Sequence, residues 1–126
     1  GVHFAHYWVH PLTGKAMGGA ALGMLKNLGH TFVQGHRQVY ESANRFVAGK
    51  SQRAVIAGAY YCQDEEYKGY QANAHWRGIL MLNEVQDGSF DISEVSINFL
   101  CQKFEKKTIS EFLNEKYPDQ AGTLWN

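Results

Sequence analysis

Six histidines, His3, His6, His10, His30, His36 and His75, are the side chains of this 126-residue sequence best placed for chemistry, and five fall in the first 36 positions. Imidazole is the commonest protein ligand for divalent metals, so clustering of this kind makes a metal site worth testing. His6 and His10 stand four apart, a spacing that puts two ligands on one helix face. The aromatic run around them and Pro11 favour a strand instead, on which the two would share a face about 13 Å apart. For a histidine at a strand end the plain alternative is a packed or solvent-facing ring.

Gln34-Gly35-His36-Arg37-Gln38 is the second candidate. A short strand that runs into glycine delivers the following side chains to the rim of a sheet, where His36 could hold a metal and the Arg37 fork could neutralise a phosphate. Read plainly, the same segment is a turn with a solvated arginine. Asp64, Glu65 and Glu66 form a short acidic run that offers a base or a ligand, or simply a solvated surface. Tyr60, Tyr61, Tyr67, Tyr70 and Trp76 could stack on bases or anchor an interface. The sequence has no GxSxG, no GxxxxGK[ST] and no GxGxxG, which removes the serine-hydrolase, P-loop and dinucleotide-binding classes.

These residues need elements to position them. Val2–Val9 reads as a buried strand closed by Pro11 and Thr13-Gly14. Ala16–Leu28 reads as a helix with Gly29 beyond its end, weakened by Gly18, Gly19 and Gly23. Thr31–Gln34, Val39–Ala48 and Gln52–Cys62 read as strands, the last interrupted by Gly58, with a turn at Gly49-Lys50-Ser51. Gln63–Ala74 reads as a long polar loop. Trp76–Val85 and Phe90–Leu100 flank Asp87-Gly88 as a hairpin. Thr108–Tyr117 reads as a helix capped by Thr108 and Glu111 and stopped by Pro118. The expected fold is α+β, mainly β-sheet with two helices, in one domain over residues 1–126.

Twelve basic residues balance twelve acidic ones, which disfavours nucleic acid and anionic membranes as partners, and no apolar run is long enough to span a bilayer. Cys62 and Cys101 read as free buried thiols of a reducing, cytoplasmic compartment. Gly1, followed at once by an apolar segment, reads as the start of a fragment or a processed product. Leu124 and Trp125 near the end could dock on the body or on a partner.

A strand ending in Phe4-Ala5-His6, a helix, and a strand ending in Gly35-His36-Arg37-Gln38 follow one another in an order that resembles the C-terminal half of the calcineurin-like metallophosphoesterases. Gln71-Ala72-Asn73-Ala74-His75-Trp76-Arg77-Gly78-Ile79 with the following hairpin is similar to phage and prophage members, and the resemblance spans residues 1 to about 100. It implies part of an αββα sandwich that holds two divalent metals (Mn, Zn or Fe) for phosphoester hydrolysis. On that resemblance His6 and His36 ligate the second metal, and Gln38 stands where a second histidine, a ligand of the first metal, is usual. The family's Asp-x-His, Gly-Asp-x-x-Asp and Gly-Asn-His motifs do not occur here, so the resemblance implies that another polypeptide segment supplies them. The alternative is a non-catalytic phage-type binding or inhibitor protein derived from that fold, either partnered or homo-oligomeric. Tyr67, Tyr70, His75, Trp76 and Arg77 are its candidate binding residues. Single-stranded nucleic-acid binding is a third, less favoured reading.

Overall fold

The computed structural model describes residues 1–62 and 76–120. Its first unit is a β-α-β: β1 (His3–Ala5), α1 (Ala21–Leu28) and β2 (Phe32–Gln34), with β1 and β2 parallel. A hairpin of β3 (Tyr40–Val47) and β4 (Lys50–Ala57) follows, and β4 inserts parallel to β2, so the sheet order is β1-β2-β4-β3. A second, two-stranded sheet joins β5 (Gly78–Gln86) to β6 (Ser89–Ser96). It leads into α2 (Ile97–Glu105), α3 (Ile109–Lys116) and a 3-10 turn at Pro118–Gln120. The fold is α+β and mainly sheet, and no described helix is long and apolar enough to cross a membrane.

Turn chemistry sets both hairpins. Ala48-Gly49 and Asp87-Gly88 all have positive φ, the two-residue turn whose twist matches the strands it joins. In the second hairpin Glu84 and Val85 oppose the single residue Phe90, a bulge in which Glu84 takes φ 53°. α1 lays Ala21, Met24 and Leu25 on Phe32, Ala54 and Ile56, and these six form the main core. Cys101, Ile109 and Leu113 make a smaller core under α2 and α3. Thr31 ties the sheets together: its hydroxyl donates to the Gly88 carbonyl at 2.7 Å and accepts the Arg53 amide at 3.0 Å. The Arg53 guanidinium also donates to the Phe90 carbonyl and lies over the Phe90 ring.

Four sequence expectations are corrected. The first strand covers only His3–Ala5, because Val9 instead bridges back to Ala16 and the His10 amide donates to the Lys15 carbonyl. The first helix begins at Ala21 rather than Ala16, since Gly19 at φ 83° has left helical space. The Gly49-Lys50-Ser51 turn is Ala48-Gly49, with Lys50 already in β4. The described residues hold three α-helices rather than two, because Ile97–Leu100 is helical. There the Ser96 hydroxyl accepts the Phe99 amide and caps α2, and apolar alternation from Phe90 onward conceals the change of period.

Candidate functional site

Three parallel strands, β1, β2 and β4, end at one edge of the main sheet, where open α/β sheets place their ligands. His6 follows β1 and His36 follows β2 by one glycine. Although 30 residues separate them, His36 Nδ1 and His6 Nε2 lie 3.0 Å apart, with ring centroids at 4.8 Å. Both rings are exposed. The Tyr7 ring stands 5.6 Å from that of His36.

The turn carrying His36 is strained. His36 and Gln38 have φ of 60° and 61°, and the Arg37 amide closes a tight turn onto the Gly35 carbonyl. A non-glycine residue held in the left-handed region gives up about 1–2 kcal/mol, which the surroundings must offset. Arg37 does part of this, its guanidinium donating to the Gly19 carbonyl at 2.5 Å and lying 3.7 Å from the Met24 sulfur. Arg37 thus clamps the segment before α1 onto the His36 turn. Glu41 accepts the Ala21 amide at 2.8 Å, setting a carboxylate at the α1 N-terminus.

Gln38 is engaged elsewhere. Its amide oxygen, the atom a metal would use, accepts the Tyr61 hydroxyl at 3.0 Å. Tyr61 in turn lies under the guanidinium of Arg77, which is 2% exposed. Trp76 packs against Tyr40 at 5.1 Å and fills the space left by Gly58 and Gly78. Trp76 and Arg77 are therefore built into the junction of β4 and β5, where Gly78 N donates to the Ala59 carbonyl. Tyr67, Tyr70 and His75 lie outside the described residues, as do the acidic run at 64–66 and the Leu124-Trp125 tail.

Sequence reasoning missed two contributors. Glu41 sits inside a strand pattern that gives no sign of its contact with α1. Gln34, 1% exposed at the end of β2, keeps both amide heavy atoms without a hydrogen-bond partner among the described residues. A polar residue at the last position of an apolar strand was the available signal for it.

The pair fits one ion in part. Two imidazole nitrogens held at right angles about 2.1 Å from a metal lie about 3.0 Å apart, which is the spacing found. Without an ion the same spacing is a hydrogen bond, one ring's N–H donating to the other's lone pair. Among the described residues no third histidine, cysteine or carboxylate joins the pair. Burial pushes the Cys62 thiol above its usual range, only partly offset by Arg77, so Cys62 is no activated nucleophile. Comparison with family models, with curated proteins and with solved structures found no match to this chain.

Proposed function

We propose that this chain is the C-terminal portion of a calcineurin-like metallophosphoesterase, in which His6 and His36 share one divalent ion, Mn, Zn or Fe, and another polypeptide segment completes the site. The observation that supports this reading most is the convergence of two imidazoles from successive parallel strand ends onto a ligand-pair spacing. When bound, the ion would supply charge neutralisation for a phosphoryl oxygen and a more acidic water. His6 and His36 hold it, and the Gly35–Gln38 turn fixes the His36 ring. Arg37 acts as a positioning residue, its guanidinium donating to the Gly19 carbonyl.

Completion from outside also suits the sheet. Among the described residues β1 is a three-residue edge strand that pairs only with β2, and Phe4 within it and Leu12 in the segment that follows are 66% and 90% exposed. Bare edges and large exposed apolar side chains are usually covered in the working protein. The same exposure favours a second reading, a binding or inhibitor protein derived from that fold, whose partner or second copy covers this edge. Two free cysteines favour a reducing, cytoplasmic compartment for either form. Calorimetric titration with Mn²⁺ separates the two readings. Stoichiometric binding lost in both His6→Ala and His36→Ala supports the enzyme portion, and no binding at millimolar Mn²⁺ sinks it in favour of the binding protein.

A further inference from the structure

A second histidine pair stands at the opposite end of β1, and the site proposed above does not use it. His3 opens β1 in register with Phe32, and His30 follows the Gly29 cap of α1 just before β2. Their ring centroids are 4.3 Å apart, tilted by 49°. His30 Nδ1 lies 3.1 Å from the Thr31 carbonyl oxygen, so this nitrogen carries the proton and donates, leaving Nε2 as a lone pair. Ligating imidazoles characteristically donate their other N–H in this way, to a carbonyl or carboxylate that fixes the tautomer.

Trp8 packs against both rings, with centroids 6.4 Å from His3 and 5.3 Å from His30. Its indole Nε1 is buried and has no acceptor among the described residues. A buried donor left unmatched is destabilising, and an anion or a water in the shell of a bound ion would satisfy it.

We propose that His3 and His30 form a second metal site, taking a borderline divalent ion of imidazole preference such as Zn²⁺, with water completing the shell. β1 spans about 10 Å, so this site is separate from the His6–His36 pair and is not part of a dinuclear clamp, whose ions lie about 3.5–4 Å apart. Its role is structural. An ion shared by His3 and His30 cross-links the entry of the edge strand to the start of β2, where backbone pairing alone holds three residues. Holding β1 in place also holds His6 at its far end.

The test uses His36→Ala protein, which lacks the first pair, titrated with Zn²⁺ by calorimetry and followed by thermal melting. One equivalent of Zn²⁺ is expected to bind and to raise Tm, as any ligand of the folded state alone must. Adding His3→Ala or His30→Ala is expected to weaken binding by at least about tenfold each and to abolish the Tm shift. His3 is exposed, so His3→Gln serves as a variant that keeps the fold while removing the ligand. Absence of saturable binding in His36→Ala protein overturns the proposal. So does binding that either the His3 or the His30 substitution leaves unchanged, which would put the ion elsewhere.

Discussion

Replacing Gly78 by alanine probes the junction that carries Trp76 and Arg77. A Cβ on Gly78 would lie 2.3 Å from the Val95 carbonyl oxygen and 2.7 Å from two carbons of the Trp76 indole. Carbon contacts are comfortable only near 3.5–4.0 Å, so something must move. The indole has little room to swing, because Gly58 abuts it on another side, where a Cβ would already be 2.9 Å away, and the Tyr40 ring packs on it. The Val95 carbonyl belongs to the β5–β6 ladder, so yielding there parts the strands. Overpacking costs about 1–3 kcal/mol, and losing the Gly78–Ala59 hydrogen bond adds about 1 kcal/mol. A total near 3 kcal/mol, divided by a urea m-value of about 1–3 kcal/mol/M, lowers the unfolding midpoint by roughly 1–3 M. A midpoint within about 0.3 M of the parent would refute the wedge account of Trp76.

Gly23 supplies the opposite case. It lies inside α1, and a Cβ added there would meet nothing within 4 Å, so Gly23→Ala should stabilise by about 1 kcal/mol, read as a higher urea midpoint. Tyr40 is held neutral by partial burial and by its hydrogen bond to Glu94, which raise its hydroxyl above the usual value near 10. Its contribution to stability is thus fully present below about pH 10 and is lost as pH rises through the folded value. Alkaline denaturation should therefore be steeper in the parent than in Tyr40→Phe, and parallel curves would contradict the assignment. Gln34→Met removes a buried amide whose heavy atoms lack partners among the described residues, so the urea midpoint should rise by the equivalent of about 1–3 kcal/mol. A lower midpoint would mean that the amide has a partner in the working protein.

Local chemistry was legible wherever one residue decides the backbone. Asp87-Gly88 announced its hairpin, and the Thr108–Glu111 capping box formed as read, each side chain meeting the other's backbone amide. Apolar periodicity was less decisive. Ile97 and Phe99 continue a strand alternation, yet the Ser96 cap turns the chain into α2. Likewise, Ala16 and Met17 extend the apolar pattern of α1, while Gly19 forbids the helix there. The site was legible only in part. Gly35-His36 marked a rim residue, but which strands lie side by side is a property of sheet order, and no spacing in the sequence places His6 against His36. Gln38 looked like a ligand by position, and no spacing in the sequence announces the long-range hydrogen bond that its oxygen accepts from Tyr61.

That His6 and His36 hold one ion is the central claim, and Mn²⁺ reports on it directly because it broadens the NMR signals of nuclei close to it. Substoichiometric Mn²⁺ added to protein with ¹⁵N-labelled histidine should erase the imidazole signals of His6 and His36 first and leave His10 sharp. Uniform broadening of all six histidines, or loss confined to rings other than these two, would contradict it.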